Sequence, residues 1–140
     1  MKGCLIIIFS FFVGTSATHA QKREQQDCIS LYDSTFKQKI YVWVDKMPQY
    51  GEGTTDILTY FSAHFHELKD PDNFQGSIKM EFIVTEKGAL KGPKIMNKAP
   101  GEITVMEKEA LKIFSTMPRW KPGTCKGKAV PVKMQLPIVF

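Results

Sequence analysis

The chain has 140 residues and a mass of 15.9 kDa, room for one compact domain and not for a multidomain enzyme. With 43% apolar, 24% charged and 11% aromatic residues, it can build a core and has neither a collagenous nor a disordered composition. A net charge of +5, from 19 Lys and Arg against 14 Asp and Glu, is too small and too scattered for a nucleic-acid groove and implies only mild affinity for acidic surfaces.

Residues 1–20 read as a signal peptide: Lys2 supplies the positive start, Leu5 to Val13 the apolar run, and Thr18-His19-Ala20 the small residues before a cleavage site. The apolar run is far short of the ~20 residues a spanning helix needs, so no membrane span is expected in the mature chain. Cys4 precedes the apolar run, whereas a lipid-accepting Cys follows it. The exported chain keeps two cysteines, Cys28 and Cys125. An even pair in an oxidising compartment points to a disulfide. A bridge across nearly a hundred residues is worth about 4 kcal/mol in the chain-entropy model. A catalytic thiol is the alternative, but neither Cys has CxxC spacing or an adjacent His partner for activation.

Residues 21–39 read as a polar N-terminal arm and residues 40–140 as the folded domain. Ile40 to Val44 is a short strand that stops at Met47-Pro48. Ile57, Leu58, Phe61, Phe65 and Leu68 form the stripe of an amphipathic helix that starts at Thr54 and ends before Asp70-Pro71. After Gly76 the period drops to two, with Ile78, Met80, Phe82 and Val84 on one face. Glu86-Lys87-Gly88 turns the chain back into Leu90 to Asn97 as a hairpin partner. Glu102 to Met117 is a second helix, its apolar face carried by Ile103, Met106, Ala110, Ile113, Phe114 and Met117. A short loop follows Trp120, and a final strand alternates from Val130 to Val139. Pro131 and Pro137 share its parity and mark it as an edge strand. The order strand, helix, hairpin, helix, strand folds as an α+β domain: a small antiparallel sheet with two helices packed on one face.

No constellation points to catalysis, a metal or a cofactor. His64 and His66 lie two apart on a helix and project about 200° from each other, so they cannot chelate together. Asp70, Asp72 and Glu81 echo a calcium loop, but Phe74 and Gln75 stand where a ligand and a Gly belong. No GxSxG, P-loop or dinucleotide fingerprint is present. Binding is therefore favoured over chemistry. Hydrolysis would need turnover that depends on Glu81, Glu109 or Cys125. Trp120, between Pro118 and Pro122, is either a core or rim anchor or a recognition contact, with Lys121, Lys126 and Lys128 nearby.

The C-terminal half resembles the TonB C-terminal domain family, in the branch that stands alone in Gram-negative periplasms. The resemblance rests on Gly76-x-Ile78-x-Met80-x-Phe82-x-Val84-x-x-x-Gly88, Glu109-Ala110-Leu111, Met117-Pro118-x-Trp120-x-Pro122-Gly123, Gly127-x-x-Val130 and Leu136-Pro137-Ile138-x-Phe140. It implies a two-layer domain with a three-stranded antiparallel sheet at its heart. It also implies a non-enzymatic periplasmic role tied to TonB-dependent outer-membrane transport, with a receptor segment added to the sheet by strand pairing. Carried over, the partner-binding residues are Arg119, Trp120 and Lys121 at the rim and Lys133 and Gln135 on the last strand. The partners are an outer-membrane receptor or another envelope protein, with a homodimer or peptidoglycan as alternatives. An arm of 19 residues spans at most about 65 Å, which favours a binding role, or a structural one through self-association, over energy transduction.

Overall fold

A computed structural model describes residues 27–65 and 76–139; the signal-peptide reading, Leu68, His66, Asp70 and Asp72 lie outside them. Two strands open the described chain, β1 (Ile29–Asp33) and β2 (Gln38–Trp43), joined as an antiparallel hairpin. Helix α1 (Thr54–His64) follows, then the hairpin β3 (Ser77–Val84) and β4 (Leu90–Ile95), helix α2 (Val105–Ser115), a small hairpin β5 (Gly123–Cys125) and β6 (Lys128–Val130), and the terminal strand β7 (Val132–Val139). Five strands form one sheet in the order β1-β2-β7-β3-β4, and β5 and β6 form a second.

Alternation along β3 sends Ile78, Met80, Phe82 and Val84 to one face, and all four are buried. Ile57 and Phe61 of α1, Ala110, Ile113 and Phe114 of α2, Ile95, Ile138 and Trp120 complete the same cluster, so both helices cover one side of the sheet. Phe114 sits 4.6 Å from Phe82 and 5.4 Å from Phe61, centroid to centroid, and links the layers. The fold is α+β, as the hydrophobic pattern requires.

Local chemistry explains the element ends. Helix α2 begins three residues later than its apolar face implies, because Thr104 is its N-cap: its hydroxyl accepts from the Glu107 N–H while Glu107 reaches back to the Thr104 N–H. Pro100–Glu102 is a separate 3-10 turn. Helix α1 stops at His64, with Phe65 already extended. At the β3–β4 turn Gly88 has φ +78°, and a Cβ there would collide with the Trp120 carbonyl, whose own N–H donates to the Gly88 carbonyl at 2.8 Å.

Four expectations are corrected by the tertiary arrangement. The polar arm contains β1. The loop after Trp120 contains the β5–β6 hairpin, turned by Lys126 and Gly127, both at positive φ. The sheet is mixed, because β2 runs parallel to β7. And β7 is the middle strand of five, despite its prolines. Pro137 stands opposite Lys79, whose carbonyl accepts from Met96 on the β4 side. Lys79 therefore turns its polar groups away from β7, and by the alternation of antiparallel pairs Pro137 directs its missing N–H away from β3. The vacancy falls on the β2 side of β7, along the stretch that β2 does not reach.

Candidate interaction surface

Strand β7 has two unequal edges. Toward β3 it is paired along its whole length, Val132 to Val139 against Val84 to Ser77. Toward β2 the single register pair is Tyr41 with Val132, secured by the Tyr41 N–H donating to the Pro131 carbonyl at 2.9 Å. Beyond that point the strands part, and among the described residues the stretch Gln135–Val139 has no strand beside it on that side. Because Gln135 and Val139 share the parity of Pro137, their N–H groups point outward too. This is an open sheet edge with a ready row of donors and acceptors.

At the fork between β2 and β7 lies a cavity of about 350 Å³ lined by Val42, Trp43, Met47, Lys133, Met134 and Gln135. Trp43 and Met47 are 44% and 42% exposed, a large apolar outlay for surface side chains and one that suits a docking socket.

The face of the sheet opposite the helices is charged. Asp33 of β1 pairs with Lys133 of β7 at 3.6 Å, Lys133 lies 3.8 Å from Glu81 of β3, and Glu81 pairs with Lys94 of β4 at 3.0 Å. Gln135 donates to Glu81 at 3.2 Å. Burial pushes the Glu81 carboxyl up, but the hydrogen bonds from Lys94 and Gln135 and the nearby lysine charges outweigh it and hold it below its ordinary value. The Asp33 carboxyl is also held low, first by the Phe36 N–H, against burial, then by Thr35 and Lys133. Phe36, on the β1–β2 turn, reaches across to β4: its ring lies where a side chain on Gly92 would stand, with the Lys91 ammonium 4.7 Å from the ring centre.

The five expected contact residues do not form one patch. Trp120 is 4% exposed, packed on Phe82 at 5.3 Å and Tyr50 at 5.6 Å; it is a core residue and offers no face to a partner, because its two flanking prolines and the Gly88 contact fold the segment inward. Its Nε1–H is the one buried side-chain polar group among the described residues without a hydrogen-bond partner. Arg119 is exposed on the helix side, at a cleft of about 520 Å³ shared with Tyr50, Asp56, Tyr60 and His64. There the His64 ring stacks on Tyr60 at 4.1 Å, and the Tyr50 hydroxyl is pushed up by burial and by Tyr60 and Asp56. Lys121 is held in an antiparallel bridge with Gln49, its ammonium 3.4 Å from Glu52. Only Lys133 and Gln135 stand together, on β7 beside the fork. Sequence reading missed Trp43 and Met47; the signal was there in a Trp and a Met flanking the end of a short strand, but a strand pattern cannot say which neighbour is absent.

Cys28, just before β1, and Cys125, at the end of β5, come within bonding distance, Cα to Cα 6.1 Å, which suits a disulfide. The Asp45 carboxylate lies beside Cys28 at 3.8 Å and accepts from the Lys126 N–H at 2.5 Å. Cys28, Asp45 and Cys125 are the one group of Cys and acid side chains among the described residues with ligand atoms close enough to share a metal ion. Two sulfurs at bonding distance suit a cross-link better than a metal site.

The fold is thus an α+β domain whose central strand is left partly unpaired among the described residues, beside an apolar socket. Residues 70–140 match the model of the C-terminal domain of the Gram-negative bacterial TonB protein. The chain belongs to this family, a TonB-type protein-interaction domain, and β3 to β7 lie within the matched span. No curated protein and no solved structure matches it. No helix among the described residues is long and apolar enough to cross a membrane.

Proposed function

We propose that this chain is an exported periplasmic binding module, bridged between Cys28 and Cys125, that captures an extended segment of an outer-membrane receptor or another envelope component on the outer edge of β7. It performs no chemistry of its own. The observation that carries this reading is the unpaired edge Gln135–Val139 beside the Trp43 and Met47 socket. Main-chain hydrogen bonds supply affinity in such strand addition, and sockets for alternate side chains supply specificity. Pro137 removes one donor, so the side-chain socket carries more of the recognition here than in an uninterrupted edge.

The test is capture from a solubilised envelope fraction with the wild type and with Gln135→Pro, which removes a second outward donor while leaving the β3 ladder intact. We expect receptors or transport proteins with the wild type and none with the variant. Equal recovery from both folded proteins would sink the proposal. One observation favours self-association as a second reading: β1 is an outer strand of the sheet, with Ile29, Leu31 and Tyr32 exposed and no Lys or Pro to blunt it. A dimer mass in sedimentation that falls to the monomer on Leu31→Lys would support it.

A further inference from the structure

The edge of β7 is not merely left open; its first part is taken by the chain's own β2. Eight register pairs join β7 to β3, and one joins it to β2. The β1–β2 hairpin lies upstream of the span that matches the family. Its hold on the sheet depends on contacts outside the ladder. At its turn, Phe36 sits on Gly92 and Asp33 pairs with Lys133. Along its length, Ile40 and Val44 are buried, though both stand outside the main core cluster. At its open end, Cys28 meets Cys125 beside Asp45, and Asp45 also binds the β5–β6 turn.

We propose that the β1–β2 hairpin is a strap that shields the beginning of the β7 edge from incoming strands, and that the Cys28–Cys125 bridge keeps it closed. This inference rests on the reading of β7 as the docking edge. A strand paired through one residue cannot resist opening by its backbone bonds alone. The bridge confines the hairpin to the sheet by holding its open end within bonding distance of β5, so that any excursion is short and re-closure is intramolecular. With the bridge intact, a partner finds Gln135–Val139. With the strap lifted, the accessible edge grows to the whole of Val132–Val139, and the strand that replaces β2 runs parallel to β7, as β2 does. The strap thus sets the length of the segment that the module accepts.

Hydrogen exchange on the purified protein, oxidised and after reduction by a phosphine, tests the attachment without any variant. The Tyr41 amide, which donates to the Pro131 carbonyl, reports the strap, and the β3 amides opposite β7 report the rest of the sheet. On reduction we expect Tyr41 exchange to quicken by about tenfold or more while Ile78 to Val84 stay protected. The binding probe is a synthetic peptide that copies β2, residues 38–45. It should bind the reduced protein and a Cys28→Ser, Cys125→Ser double variant at least about tenfold more tightly than the oxidised wild type. Tyr41 exchange unchanged by reduction, or equal peptide affinity for both forms, overturns the proposal. Failure of the docking-edge reading shows separately, as envelope capture by the oxidised protein that is insensitive to Gln135→Pro.

Discussion

Trp120 marks the difference between a residue's type and its task. By sequence it is either a core or rim anchor or a recognition contact; its ring fills the space between Phe82, Phe114 and Tyr50, and truncating it opens a cavity in the centre of the cluster. We expect Trp120→Ala to cost about 3–5 kcal/mol, read as a lowered denaturant midpoint. A variant that kept full stability and lost only partner binding would contradict the core assignment. Gly88 serves the same contact from the other side. Its φ of +78° and the Trp120 carbonyl against it leave no room for a methyl, so Gly88→Ala should destabilise by about 2 kcal/mol or more in the same measurement.

Among the elements, α2 is the best specified, and its N-terminus carries a titrating device. Burial pushes the Glu107 carboxyl up, but the Lys98 hydrogen bond, the Thr104 N–H and hydroxyl and the Lys98 charge outweigh it, so it lies below its ordinary value of 4.5. A carboxyl with a depressed folded pKa adds stability that is complete above its unfolded pKa and is lost as the pH falls through the folded one. Stability should therefore be level near neutrality and drop as the pH falls from about 5 toward 3, with Glu107→Gln flattening part of that drop. Thermal melts across the range check this; a Gln variant with an unchanged acid slope would place the titration elsewhere, at Asp33 or Glu81. The apolar face of α2 was legible beforehand. The Thr104 and Glu107 capping box and the late start of the helix were not, since the apolar face runs on through Ile103, which packs on the core without being helical.

For the molecule as a whole, residues 27–65 meet residues 76–139 through few backbone pairings, one β2–β7 pair and the bridges of Lys46 with Thr124 and Gln49 with Lys121, and otherwise through the shared core of α1, α2 and β3 and the Cys28–Cys125 contact. A cross-link spanning 97 residues restricts the unfolded chain strongly, so reduction should lower unfolding free energy by about 4 kcal/mol. Equal denaturation midpoints with and without reductant would mean that the pair is not bridged in solution. The candidate site is assembled by the same long-range joins. Lys133 and Gln135 come from one end of the chain and Trp43 and Met47 from the other, and neither pair reads as a site alone.

What the amino-acid order settled by itself is whatever acts over one turn or one pleat: the buried face of β3, the Glu86 to Gly88 reversal, the apolar face of α2, the α+β class and the family signature. Side-chain periodicity reports those features because each depends on neighbours two to four residues away. Strand order, the central position of β7, the burial of Trp120 and the fork beside Trp43 depend on pairings between distant segments. Prolines at one parity say only that one side of a strand lacks donors. Whether that side faces solvent, a partner or the chain's own β2 was decided by the packing of residues 27–44 against a strand nearly at the other end of the sequence.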